Sequence, residues 1–151
     1  MLQAADALFA ERVRASFARQ AVMTLLGAQL ELVEAGRVVI SMRHRPELTQ
    51  QHGFLHAGIL ATALDSACGY AAYALMPEDA AVLTIEFKIN LLAPARGPCF
   101  SFEGQVSKAG RTISVVDGRA TQSADPGGPQ SQVATMTATV MTVRGREGLR
   151  Q

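Results

Sequence analysis

A single aspartate interrupts the longest apolar stretch of this chain. Residues 57–76 form a run of twenty residues in which Asp65 is the only charged side chain. Desolvation and neighbouring groups tune the basicity of a carboxylate in such surroundings, as a catalytic acid or base requires. The alternative interpretation is structural: Asp65 is partly exposed, or it is buried and satisfied by Ser66, Thr62 or a backbone amide.

The residues that precede this stretch favour the catalytic interpretation. Gly53, Ala57 and Gly58 lead into the predicted helix, and small residues let a ligand approach the backbone. The first amides of a helix have no partner within it and lie at the positive end of its dipole. They can therefore polarise a carbonyl group and stabilise the oxyanion that forms from it.

Helix geometry keeps Asp65 away from this helix start. Gly58 and Asp65 are seven residues apart, which places them roughly 10 Å apart along the helix axis. One carbonyl group cannot lie about 3 Å from both. If both act on one substrate, Asp65 has to come from a neighbouring chain. Because Ala57, Gly58 and Ala61 are small enough for two antiparallel helices to approach closely, we predict a symmetric dimer with two sites between its subunits.

Composition limits the class of protein. The 151 residues are 48% hydrophobic and 18% charged, which predicts one globular domain over 1–151. Within it we expect a helical extension over 1–24 and a tail over 145–151. The net charge of +1 argues against a nucleic-acid surface. The carboxylate in the apolar stretch, without flanking basic residues, argues against a membrane span, so neither partner is expected.

The remaining reactive side chains indicate no metal centre and no disulfide framework. Cys68 and Cys99 are the two cysteines, and we expect both as reduced thiols of a cytoplasmic protein. His52 and His56 have the spacing of a helical metal pair, but Gly53 stands where a zinc protease carries glutamate. The amino terminus is amphipathic and does not have the continuous apolar core of a signal peptide.

Hydrophobic periodicity predicts an α+β fold. Helices are predicted over 3–20 and 57–76, and strands over 28–33, 37–43, 83–91, 100–106, 112–121 and 132–143. One long helix with about six antiparallel strands suggests a curved sheet wrapped around that helix. The helix is apolar nearly all round, so we expect a second copy of the chain to cover the part that the sheet leaves open.

At these residues the sequence resembles the hotdog-fold acyl-CoA thioesterases of the PaaI-like type. That family has, roughly, an amide residue, then Gly-x-x-His-Gly-Gly, and Asp seven residues after the second glycine. The corresponding residues here are Gln50 and Gly53, His56-Ala57-Gly58, and Asp65, and Gly69-Tyr70-Ala71-Ala72 follows where the family has a Gly-x-Ala-Ala-like pattern. The similarity covers roughly 25–143. It implies the hotdog fold, with an extra amino-terminal helix.

The resemblance also implies roles for individual residues. Asp65 matches the carboxylate that acts as nucleophile or general base, and the Ala57 amide matches the oxyanion donor. His56 and Gly58 match the histidine and second glycine of the helix start. Gln50 and Thr84 match positions near the thioester and the attacking water. Segments that hold coenzyme A across the dimer are matched by Pro94, Ala95, Arg96, Lys108, Gly110, Arg111 and Thr112.

Several points stay open from the sequence. Ala57 replaces a glycine, which keeps the amide but adds a methyl group, and Gln51 beside Gln50 could take the amide role. Thr84 alternates with Glu86 and Lys88, so its face of the strand could simply be solvated. Arg111 and Lys108 could form an ordinary charged turn instead of binding phosphates.

The function that this resemblance implies is hydrolysis of an acyl-CoA thioester to an acid and free coenzyme A. No further cofactor and no metal are expected, because coenzyme A is part of the substrate. The alternatives are a non-catalytic acyl-CoA-binding or regulatory domain and a hotdog dehydratase, although the dehydratase His-Phe-Pro motif is absent. The family often forms tetramers, so a homodimer and a homotetramer are both open. The sequence does not reveal the acyl group.

Overall fold

The computed structural model describes residues 2–149 and contains one six-stranded antiparallel sheet with one long helix against it. The elements are α1 (Phe9–Arg19), α2 (Ala21–Leu26), β1 (Gln29–Glu34), β2 (Arg37–Arg43), a short 3-10 turn (Pro46–Leu48), α3 (Ala57–Tyr73), β3 (Ala80–Leu91), β4 (Cys99–Lys108), β5 (Ile113–Ser123) and β6 (Ser131–Arg144). The strand order is β1-β2-β4-β5-β6-β3. The predicted α+β architecture is therefore confirmed, with all six strands and the long central helix in place. No helix within 2–149 is long and apolar enough to cross a bilayer.

The predicted bounds of both helices need correction. The helix predicted over 3–20 begins only at Phe9, and Gln20 ends it because its backbone is extended, with φ −78° and ψ 96°. The short helix α2 follows immediately. The long helix ends at Tyr73 instead of 76, ahead of Pro77, which cannot donate a helical hydrogen bond. Residues 145–149 of the predicted tail form neither helix nor strand. Residues 1, 150 and 151 lie outside the described part.

Two glycines allow α3 to lie close against the sheet. Gly104 of β4 pairs with Gly118 of β5 beneath the helix. A Cβ at Gly104 would collide with the backbone carbonyl of Ala67, and one at Gly118 would lie 3.0 Å from the Sγ of Cys68. The helix face that contacts these strands is fully buried. The missing side chains thus let the backbone of α3 approach β4 and let the side chain of Cys68 pack onto β5.

A bulge in β3 decides which side chains face the helix. Thr84 pairs with Val140 and Glu86 pairs with Thr139, so Ile85 is the extra residue. Val140 is fully buried on the helix side of the sheet, and Thr84 therefore also faces α3. The simple alternation predicted for this strand is wrong, because a bulge shifts the period of the side chains by one residue.

The strand β3 is an edge of the sheet and exposes apolar side chains. It pairs only with β6 among the described strands. The exposed fraction is 54% for Ile85, 43% for Phe87 and 52% for Leu91. An edge strand with large exposed apolar residues is a typical surface for pairing with another chain.

Candidate active site

Asp65 lies on α3 next to the bulge of β3. The hydroxyl of Thr84 donates a hydrogen bond of 2.7 Å to the Oδ1 atom of Asp65. The neighbours proposed for Asp65 in a purely structural role have other partners: Thr62 donates to the carbonyl oxygen of Gly58 and Ser66 donates to Gln20. The bulge thus places the Thr84 hydroxyl against the Asp65 carboxylate. The Oδ2 atom of Asp65 can still accept hydrogen bonds from a water molecule or a substrate.

A cavity of about 250 Å³ opens beside this carboxylate. It is lined by Gln20, Asp65, Ser66, Gly69, Tyr70, Val82, Leu83 and Thr84. Burial raises the pKa of the Tyr70 phenol, which keeps that group protonated and able to donate a hydrogen bond. The cavity therefore combines a carboxylate with neutral polar groups.

The start of α3 presents one unpaired amide. His56 is the N-cap residue, and its Nδ1 atom accepts a hydrogen bond of 2.9 Å from the amide of Gly58. That amide is consequently occupied. The amide of Ala57, at the first helical position, has no hydrogen-bond partner within residues 2–149, and Ala57 is exposed. Among the predicted groups, the Ala57 amide is thus the one free to stabilise an oxyanion.

Gln50 is placed next to this helix start. Together with Phe54, Leu55 and Ala57 it lines a second cavity of about 390 Å³. Its Oε1 atom accepts a hydrogen bond from the amide of His52, which fixes the side chain in its loop. Gln51 is exposed and does not line this cavity. Of the two glutamines, Gln50 is therefore the one near the predicted oxyanion donor.

Asp65 and Ala57 line different cavities of the protomer. They are eight residues apart on one helix, which corresponds to about 12 Å along its axis. The separation that the sequence predicted is present in the structure. A thioester held at the Ala57 amide of one chain thus lies out of reach of the Asp65 carboxylate of that same chain.

Comparison with known proteins identifies the family. The family model described as the thioesterase superfamily matches residues 52–127, about half of the chain. The chain belongs to the thioesterase superfamily. The matched segment includes the helix start, Asp65 and Thr84, whereas Gln50 and the amino-terminal helices precede it.

Individual relatives agree with this membership. A thioesterase family protein from Silicibacter pomeroyi is 53% identical, with a TM-score of 0.87 over 91% of this chain and 99% of its own. A protein of Saccharolobus solfataricus that is named provisionally as an esterase is 38% identical over 64% of this chain and 68% of its own. The PaaI protein of the Escherichia coli phenylacetic acid degradation operon is 20% identical, with a TM-score of 0.81 over 91% and 94% of the two chains. This last likeness concerns the fold, and the predicted PaaI-like hotdog fold is confirmed.

The residues predicted to bind coenzyme A fall at two opposite ends of the thioesterase sheet. Pro94 and Ala95 line the cavity at the helix start, and the guanidinium of Arg96 lies 4.9 Å from the ring centre of Phe54. The other segment lies beyond the far end of β4, where Gly110, Arg111 and Thr112 line a third cavity of about 490 Å³. Lys108 is exposed at the end of that strand. Ten strand residues separate the two groups by about 30 Å, so a single chain does not bring them together.

The Cys68 thiol, on the same helix as Asp65, is not available as a nucleophile. Cys68 is fully buried, and burial, followed by the charges of Asp65 and Asp117, raises the pKa of its thiol to about 12. A thiol with this pKa remains protonated near neutral pH and is a poor nucleophile. No group of three or more potential metal ligands occurs within the described residues.

Sequence reasoning missed several side chains of the Asp65 cavity. The sequence places Gln20 only at the end of the predicted helix, and Gly69 and Tyr70 only in the apolar stretch and the family pattern. The contact between Gln20 and Ser66 joins residues that are 46 positions apart. Neither hydrophobic periodicity nor motif spacing predicts a contact between residues so far apart in the sequence.

Proposed function

We propose that this thioesterase hydrolyses acyl-CoA to a carboxylic acid and free coenzyme A in the cytoplasm. The observation that carries the proposal is the Asp65 carboxylate, held by Thr84 at 2.7 Å beside a cavity. Coenzyme A enters as part of the substrate, and the reaction needs no additional cofactor or metal.

In the proposed mechanism, the unpaired Ala57 amide activates the thioester carbonyl for attack. It donates a hydrogen bond to the thioester carbonyl oxygen and stabilises the negative charge that develops on it. His56 positions this amide by capping the helix through Gly58. Gln50, on the wall of the same cavity, orients the thioester.

Asp65 promotes the attack on the thioester carbonyl carbon by one of two routes. As a general base, it takes a proton from water, whose oxygen bonds to the carbonyl carbon; the carbon–sulfur bond then breaks and the thiolate takes up a proton. As a nucleophile, its oxygen displaces the thiolate to give an anhydride, which water then cleaves. In either route the hydrogen bond from Thr84 holds the carboxylate in position.

The assembly that this mechanism requires is a homodimer. The Asp65 carboxylate and the Ala57 amide are separated by about 12 Å on one helix, so each site takes one group from each subunit. The exposed apolar edge β3 lies next to Asp65 and supports pairing of two chains there. A homotetramer would then be a pair of such dimers.

The dimer also gives coenzyme A a binding surface. Arg96 at one end of the sheet and Lys108 with Arg111 at the other are cations suited to the nucleotide phosphates. Because they lie about 30 Å apart in one chain, the two subunits would each contribute one of these segments to a bound nucleotide. No nucleic acid or membrane partner is proposed.

A panel of acyl-CoA thioesters tests the proposal directly. Purified protein is incubated with aryl, short, medium and long acyl-CoAs, and released thiol is measured with a thiol-reactive dye. We expect release of free coenzyme A from at least one class well above the rate without protein. Binding of acyl-CoA, measured by calorimetry, without turnover of any class would contradict hydrolysis and favour the non-catalytic binding domain.

A further inference from the structure

The amino-terminal helices reach the cavity at Asp65 although they lie outside the matched family segment. A polar row on this segment runs antiparallel to α3. Arg12 donates to the carbonyl oxygen of Met76 at 2.8 Å, and Ser16 lies 3.3 Å from the hydroxyl of Tyr70. The row ends at Gln20, beside the catalytic carboxylate.

Gln20 forms part of the wall of that cavity. Its Oε1 atom accepts a hydrogen bond of 3.1 Å from the hydroxyl of Ser66, the residue that follows Asp65. The Nε2 group of the same amide is a hydrogen-bond donor. No hydrogen bond of Nε2 to another described residue is formed.

Part of the cavity wall is formed by a glycine of α3. A Cβ built at Gly69 meets nothing within 4 Å, although Gly69 is a buried residue on α3 that lines this cavity. A side chain at this position would consequently project into the cavity. The absence of a side chain leaves space about one helical turn from Asp65.

The volume and polarity of the cavity together indicate what it holds. A closed cavity of about 150 Å³ can accommodate benzene, and this one measures about 250 Å³. It therefore has room for a compact acyl group. The polar atoms of Gln20, Ser66 and Tyr70 around it favour an acyl group that can form hydrogen bonds.

We propose that Gln20 determines acyl specificity, by donating from its side-chain amide to a polar substituent on a compact acyl group that lies between Gln20 and Gly69. This inference rests on the proposed acyl-CoA hydrolysis and adds the class of acyl group. It also gives the amino-terminal extension a role in substrate selection.

The test compares two thioesters that differ by one hydroxyl group, ω-hydroxyhexanoyl-CoA and hexanoyl-CoA. We expect wild-type protein to prefer the hydroxylated substrate in kcat/KM, and Gln20→Leu to lower that preference by about tenfold or more. The matched control is Arg12→Met, which removes contacts of the same amino-terminal segment with Met76 and the Tyr73 ring, neither of which lines the cavity. It should leave the preference unchanged.

A second variant tests whether the acyl group occupies the cavity. Gly69→Leu should lower kcat/KM for both six-carbon substrates by about tenfold or more relative to acetyl-CoA. Thermal unfolding should show no loss of stability, since leucine favours a helix more than glycine does.

The outcomes separate this inference from the proposed function. A wild-type protein that releases no thiol from any acyl-CoA overturns both. If wild type is active, an unchanged preference in Gln20→Leu, an equal loss in Arg12→Met, or no selective effect of Gly69→Leu overturns the specificity role alone.

Discussion

Replacing Asp65 by asparagine should lower kcat for thioester hydrolysis by a factor of about a thousand or more. Asparagine has nearly the shape of aspartate and retains an Oδ1 acceptor for the Thr84 hydroxyl. It has neither the basicity to activate water nor the nucleophilicity to attack the thioester. Steady-state release of coenzyme A from the best substrate measures the loss, and thermal unfolding verifies that the fold is intact.

The matched control for this variant is Asp117→Asn on the outer face of the sheet. Asp117 accepts hydrogen bonds from Ser107 and Thr137. It lines a different cavity from the one beside Asp65. Replacing Asp117 should leave kcat within about twofold of the wild-type value, as is typical of a surface substitution away from the active site. If Asp65→Asn retained more than about a tenth of the wild-type kcat, the catalytic role of the carboxylate would be wrong.

Replacing Ala57 by proline should lower kcat by a factor of about 100 to 1,000, the usual cost of losing one oxyanion donor. Proline removes the single N–H group on which the proposal depends. The first position of a helix is where proline is best tolerated, and the preceding residue, His56, already has the extended backbone that proline requires, with ψ 141°. The helix should thus keep its start while losing the donor.

Ala57→Gly is the control for the proline variant. It keeps the amide, removes the methyl group and restores the residue that the family signature carries at this position. Activity should stay at or above the wild-type value, whereas proline reduces it. Wild-type kcat in the proline variant, measured on the same substrate, would show that the amide of Ala57 does not stabilise the transition state.

The local features of this site were predictable from sequence because they depend on helix geometry. The N-cap position of His56, the exposed amide of Ala57 and the distance to Asp65 all follow from residues close together along one helix. The strands were similarly predictable, and β2 spans Arg37–Arg43 as predicted. Alternating burial is clearest along β2 and β4, and this is the pattern that predicts a strand with one covered face.

The features that sequence missed depend on contacts between distant segments. The face of Thr84 could not be assigned, because the alternation of β3 does not reveal the bulge at Ile85. Gln20 ends α1 without glycine or proline to mark the break, and its contact with Ser66 forms only in the folded chain. Tertiary packing, not local preference, determines both.

The central claim is that each active site takes Asp65 from one subunit and the helix start from the other. Mixing the inactive variants Asp65→Asn and Ala57→Pro under conditions of subunit exchange tests it. Each mixed dimer would contain one intact site and one that carries both changes. Random assortment should then restore about a quarter of the wild-type activity in a symmetric dimer. A mixture that exchanges subunits, as a tagged copy can verify, yet remains as inactive as either variant alone would contradict a shared site.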